Sequence, residues 1–311
     1  MSGQIAPAGA GRHHGVMMNG SRMALVVLGM HRSGTSALAG TFARLGFGAP
    51  RLALDASEDN PGGFYESAPV VKANYDVLQT LGAFWNDCFN FDPERVGAHM
   101  PEAIVAKLAG VLEAAFDPDR PPVLKDPRMC VLFPLWARVF ARLEMTAPVL
   151  LMLRHPAEVT DSLVRRNGLP ATGAAALTLH HMLEAERATR NAPRALLSYD
   201  ELLDDWQGLV RRAVRETGLN PPRDVAAAKA EIEAFLDQTA RHHNAWPGAP
   251  MPGAAPVARL LEQAWKALVF LARVPGDGMS MAVLDHVHGQ FRAIRKNGAL
   301  RALIIDEAGE S

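Results

Sequence analysis

Residues Leu25 to Ser36 read LVVLGMHRSGTS, and the fold follows from them. An apolar, β-branched run from Ala24 to Leu28 stops at Gly29. After a short polar loop, Gly34-Thr35-Ser36 opens an amphipathic helix with Leu38, Phe42 and Leu45 at helical spacing. A strand, a phosphate-sized loop and a helix N-terminus result. Such a turn aims backbone N–H groups and the positive end of a helix dipole at one point, where an anion is the natural occupant.

The spacing Gly29-x4-Gly34 fits a nucleotide P-loop, but Thr35 stands where the Walker form has Lys. Arg32 is the fixed cation inside the loop and can fork two N–H donors onto one oxyanion. The loop suits a phosphate-like group without the usual Lys and Mg²⁺ arrangement. A glycine-rich turn that binds nothing is the other reading of the same residues.

The chain has 311 residues, 49% of them apolar, enough for one large α/β domain or two small ones. A formal net charge of −1 gives no sign of bulk nucleic-acid binding or of an electrostatic membrane anchor. Cys88 and Cys130 lack disulfide or metal-ligand patterning and read as buried or idle thiols. No apolar run reaches the roughly 20 residues of a membrane span, since Leu261 to Val274 is broken by Glu262, Lys266 and Arg273. The Gly- and Ala-rich stretch 1–22, with His13-His14, reads as a disordered lead without a signal-peptide core. The location expected from these features is the cytoplasm.

Farther along, Asn60-Pro61-Gly62-Gly63 predicts a turn displaying Phe64, Tyr65 and Glu66. A carboxylate beside aromatic rings suits general-base work; the alternative is that Glu66 caps a helix starting near Ser67. Helices are predicted over Val70 to Leu81 and Pro101 to Phe116, with Phe84, Trp85 and Phe89 to Phe91 in a loop between them, either lining a cleft where a sugar ring could stack or serving as satellite core. Val123 to Arg128 is a short buried-type strand ending in Lys125-Asp126. In an open parallel sheet ligands sit beyond the carboxyl ends of strands, which puts Lys125 at the rim of Arg32, unless it belongs to a surface salt-bridge cluster. Val131 to Leu143 is a helix, Pro148 to Arg154 the clearest buried strand, and Ala157 to Arg166 the helix after it. His180-His181 fall mid-helix between Ala174 and Asn191 and read as surface or interface residues. Arg194 to Tyr199 is a further strand, with Asp200 the expected N-cap of the next helix, and Gln207 to Thr217 and Glu231 to Leu236 are helical. The Pro- and Gly-rich segment 246–256 reads as a linker or lid, followed by two amphipathic helices, Val257 to Leu271 and Met279 to Arg295, packed on the core or covering a bound ligand.

GMHRSGTS resembles the 5′-phosphosulfate loop of the superfamily of sulfotransferases that use 3′-phosphoadenosine 5′-phosphosulfate (PAPS), in the bacterial branch related to the Golgi glycan enzymes. Similar segments recur at Asn60 to Glu66, at Leu124-Lys125-Asp126-Pro127-Arg128, and at Leu153-Arg154-His155-Pro156, where Arg154 is followed eight residues later by Ser162. A fourth, looser likeness places Arg241 near the nucleotide. The resemblance covers about residues 23–245 and implies a three-layer α/β, P-loop-like fold with a central parallel sheet flanked by helices, which the alternation of strands and helices supports independently. It implies that Arg32, Ser33, Gly34, Thr35 and Ser36 cradle the 5′-phosphosulfate. Arg154 with Ser162 would hold the 3′-phosphate, Lys125 would stabilise the breaking bridge oxygen, and Glu66 would act as base with Asp126 in reserve. The expected organisation is a lead (1–22), a sulfotransferase domain (23–245) and a linker with C-terminal helices (246–311). Transfer to a hydroxyl of a glycan or another small metabolite is expected, without a metal, because a sulfate ester carries less charge than a phosphoryl group. An ATP-dependent P-loop kinase and an inert nucleotide-binding scaffold are the alternatives. Acceptor and oligomeric state have no motif.

Overall fold

A computed structural model describes residues 22–55, 63–89, 91, 94–97, 99–238 and 249–309. His13-His14, Asn60 to Gly62 and Arg241 lie outside the described residues. In chain order the elements are β1 (Arg22–Met23), β2 (Leu25–Leu28), α1 (Thr35–Arg44), α2 (Ala68–Thr80), α3 (Glu94–Gly97), α4 (Glu102–Ala115), β3 (Val123–Lys125), α5 (Met129–Arg142), β4 (Met145–Thr146) and β5 (Val149–Leu153). There follow α6 (Pro156–Asn167), α7 (Ala171–Ala188), β6 (Arg194–Ser198), α8 (Tyr199–Asp204), α9 (Trp206–Thr217), α10 (Val225–Gln238), α11 (Ala255–Arg273), α12 (Gly278–Lys296) and α13 (Ala299–Gly309).

The central sheet has the order β3-β2-β5-β6 and every pairing in it is parallel. Val27 pairs with Lys125 on one side and Leu150 on the other, so the chain leaves β2 between two strands whose carboxyl ends lie at the same rim. This is a topological switch point, where the outgoing loops part and open a crevice. A short parallel pair, β1 with β4, sits beside Ala24 and extends the structure at the opposite end.

Alternation along the strands divides the core in two. Val26, Leu28, Leu124, Leu151 and Leu153 face one layer, formed with α2, α4, α5, α7, α11 and α12. Leu25, Val27, Val123, Leu150, Met152 and Leu197 face the other, with α1, α8, α9 and α10. The three-layer α/β architecture expected from the sequence is therefore present. The two predicted C-terminal helices pack on the core, α11 against α7 and β6 and α12 against α11. A third, α13, had no sequence signal sharp enough to place it.

Two local expectations are corrected. Ser198, not Asp200, is the N-cap of α8, and Tyr199 and Asp200 form its first turn. His180 and His181 are not surface residues: both are buried, because α7 is enclosed by α5, α6, α11 and α13 and has no solvent face at that level. Burial lowers the pKa of both imidazoles, His181 to about 4, although the bond from its Nδ1 to the Leu177 carbonyl (3.0 Å) works in the other direction.

A folded-state pKa below the unfolded value means that the unfolded chain binds the extra proton. Stability is complete above pH 6.5 and is lost as pH falls toward 4. His181 alone accounts for a loss of about 2 kcal/mol between pH 7 and pH 5. Denaturant titrations at the two pH values should show at least this difference, and His181→Gln should reduce it.

Candidate active site

The loop between β2 and α1 is built around three constrained backbone positions. Gly29 (φ 149°) fits where a Cβ would meet Ser33 Oγ at 2.7 Å and the Met152 carbonyl at 2.9 Å. Gly34 (φ 91°) fits where a Cβ would lie 2.1 Å from the Tyr199 ring. Arg32 holds φ 71° with a side chain, a strained conformation of the kind found where backbone geometry serves binding. Both donors of Ser33 go to the Met30 carbonyl, N at 3.1 Å and Oγ at 2.6 Å, so Ser33 closes the turn. The first intrahelical bond of α1 runs from Leu38 N to the Gly34 carbonyl, leaving the N–H groups ahead of it directed off the helix end. Thr35, at the Walker lysine position, is buried at the first helical position.

Lys125 ends β3 at this rim and is buried. Its Nζ donates to Glu66 Oε1 at 2.6 Å, the Phe64 carbonyl at 3.1 Å and Ser36 Oγ at 3.2 Å. Arg128 reaches Glu66 Oε2 at 3.3 Å and is also paired with Asp126. Asp126 accepts from Asn74 Nδ2 at 2.8 Å and Arg128 N at 3.0 Å, and Trp136 Nε1 in turn fixes Asn74 Oδ1 at 2.9 Å. Burial opposes the charge on Arg128, but Asp126 and Glu66 outweigh it and raise the guanidinium pKa. Ser67, not Glu66, caps α2.

At the end of β5, Arg154 Nε pairs with Glu158 at 2.6 Å, its Nη1 donates to the Arg32 carbonyl at 3.1 Å, and its guanidinium lies 4.6 Å from the centre of the Tyr199 ring. Arg32 Nε donates to Ser162 Oγ at 2.8 Å. The two strand-to-helix turns are thus joined at both ends, Arg32 reaching α6 and Arg154 supporting the Arg32 backbone. His155 caps α6 through its Nδ1, which accepts from Ala157 N at 3.3 Å, and it packs edge-on against Trp265. Burial lowers its pKa.

Arg32, Ser36, Lys125, Glu66, Arg154 and Ser162 therefore meet at one rim. Sequence reading missed the residues that hold them: Glu158, four residues after Arg154 and detectable as a helical i,i+4 pair; Arg128; Asn74; and Tyr199 beneath the loop glycine. Both cysteines are buried thiols pushed up to about 12 by burial, and Cys130 Sγ accepts from Gly29 N at 3.3 Å. Among the described residues there is no cluster with the makings of a metal site, and no helix is long and apolar enough to cross a membrane.

Searches of protein families and of curated proteins find no match. Among solved structures, the chain is similar to the sulfotransferase domain from the Synechococcus PCC 7002 olefin synthase, with TM-score 0.44 and 15% identity over 81% of this chain and 98% of that one. It is also similar to the sulfotransferase domain from the curacin biosynthetic pathway, with TM-score 0.37 and 14% identity over 77% of this chain and 96% of that one. Likenesses of this strength leave the chemistry to be read from the chain's own residues.

Gly34→Ala forces a Cβ into the Tyr199 ring on a left-handed backbone, and we expect a loss of about 2 kcal/mol or more by denaturant titration. The double variant with Tyr199→Ala should recover the steric part of that loss, giving a coupling energy different from zero.

Proposed function

We propose that this protein is a sulfotransferase that moves a sulfuryl group from PAPS to a hydroxyl acceptor, a glycan or another small metabolite. The observation that carries the reading is the joining of the two anion-type turns: Arg32 to Ser162 at 2.8 Å, and Arg154 to the Arg32 carbonyl at 3.1 Å. One ligand with phosphate groups at both ends of a ribose matches two adjoining cation sites better than a nucleotide lacking a 3′-phosphate. Arg32, Ser36 and the N-terminus of α1 would take the 5′-phosphosulfate, and Arg154 with Ser162 the 3′-phosphate. The absence of a lysine at Thr35 argues against an ATP-dependent kinase of P-loop type.

In the transfer, the acceptor oxygen forms a bond to sulfur while the bond from sulfur to the phosphate bridge oxygen breaks, and the acceptor's proton passes to a base. Alignment and charge stabilisation are what the protein has to supply. Lys125, fixed by three acceptors, is suited to the charge that develops on the bridge oxygen. Glu66 was the expected base, but with one oxygen on Lys125 and the other on Arg128 we assign it to holding that ammonium in place. Asp126, bonded to Asn74 and Arg128, belongs to the same support. Removing one member of such a buried network typically costs 3–5 kcal/mol in stability.

Calorimetric titration with 3′-phosphoadenosine 5′-phosphate, against ADP and against ATP with Mg²⁺, tests the donor assignment. Arg154→Ala should weaken binding of the 3′-phosphorylated nucleotide on the order of 100-fold and weaken ADP, which loses only the support of Arg154 to the Arg32 backbone, far less. Preference for ATP with Mg²⁺ would contradict the reading.

A further inference from the structure

His31 sits inside the loop, one residue before Arg32, and no part of the account above uses it. The residue is half-buried, its Nε2 is enclosed and has no hydrogen-bond partner, and its ring meets Trp85 edge-on at 4.8 Å between centroids. Trp85 belongs to the aromatic loop in which Phe84 is 61% exposed. Behind His31 lies His181, with ring centroids 6.4 Å apart. The Nδ1 of His181 is committed to the Leu177 carbonyl, which accepts only, so that nitrogen carries the hydrogen. His181 Nε2 is then a lone-pair acceptor, and it too is enclosed without a partner.

Two enclosed ring nitrogens without partners, one of them fixed as an acceptor, define each other. Leaving both unsatisfied is costly, and with the ring centroids 6.4 Å apart the two nitrogens are too far apart for a direct bond, whereas an N–H on His31 Nε2 directed to His181 Nε2 through one bridging water satisfies both. The other nitrogen of His31, Nδ1, is then a lone pair beside the phosphate loop. This is the tautomer logic by which a second group orients a catalytic imidazole.

We propose that His31 is the general base of the transfer, receiving the acceptor's hydroxyl proton on Nδ1, and that His181 is the positioning residue that fixes its tautomer. This rests on the sulfotransferase reading and replaces Glu66 in the role of base. Burial, and then the neighbouring cations Arg128, Lys125 and Arg166, hold the His31 pKa well below its ordinary value, so the ring is neutral at pH 7 and Nδ1 carries a lone pair. The exposed Phe84 and the Trp85 ring beside His31 supply an apolar, aromatic wall for the acceptor, the kind of surface on which a sugar or phenol ring stacks.

The test uses the full chain with ¹⁵N-labelled histidines and 3′-phosphoadenosine 5′-phosphate bound. NMR should find His31 neutral with its hydrogen on Nε2, and that preference should be lost in His181→Phe. In parallel, release of sulfate from radiolabelled PAPS, with water as the acceptor, should fall about 100-fold or more in His31→Gln, which keeps a donor near Nε2 and lacks the base. Nucleotide affinity by calorimetry should stay within threefold; if glutamine disturbs the loop and affinity falls, His31→Asn takes its place. A hydrogen on Nδ1 of His31, or sulfate release within threefold of the parent chain, would overturn the proposal. If hydrolysis is too slow to measure, the tautomer decides. Failure of the parent chain to bind the nucleotide would instead sink the sulfotransferase reading.

Discussion

A buried ammonium cannot stand alone, and the site rests on how the charge of Lys125 is met. Its neighbour in the sheet is Val27, so β3 delivers it to the mouth of the loop between β2 and α1 whatever its surroundings. Glu66 at 2.6 Å supplies the opposing charge, and Ser36 and the Phe64 carbonyl take up the remaining donors. Glu66 in turn needs Arg128, Arg128 needs Asp126, and Asp126 is anchored by Asn74 under the indole of Trp136. The chain of partners runs from the loop into the core, because any member left unpaired there would carry the full desolvation cost. The segment displaying Phe64 to Glu66 is thereby tied to the end of β3 and to α1.

A second constraint acts at β5. The classical P-loop places its lysine on the helix and answers it with a metal-bound triphosphate. Here Thr35 is buried, and the fixed cations come from the loop and from a neighbouring strand. Arg32 and Arg154 are both oriented by protein partners, Ser162 and Glu158, and Tyr199 supports Gly34 and Arg154 from below. Cations held in place before a ligand arrives require little reorganisation when it binds.

Much of this was legible in the sequence, because strand-to-helix turns carry their chemistry at fixed offsets. The stretch from Ala24 to Ser36 gave strand, loop and helix with nearly the observed bounds, and the strand readings put Lys125 and Arg154 at the carboxyl-end rim, where Lys125 ends β3 and Arg154 follows β5. Partners distant in sequence were not legible. Nothing in the order of residues says that Asn74 meets Asp126, or that Tyr199 lies under Gly34, since these depend on how layers stack. The burial of both His180 and His181 was missed for the same reason: one-face periodicity assumes a solvent face, and α7 has none there. Asp200 looked like a helix cap, but Tyr199 turns into the helix one residue earlier, and Ser198 takes the position.

The central claim is that the two joined turns hold a single nucleotide by its two ends. A crystal structure of the chain with 3′-phosphoadenosine 5′-phosphate tests it most directly. The account predicts the 3′-phosphate between Arg154 and Ser162 and the 5′-phosphate at the N-terminus of α1 beside Arg32. A nucleotide bound elsewhere, or bound with its 3′-phosphate away from Arg154, would contradict it.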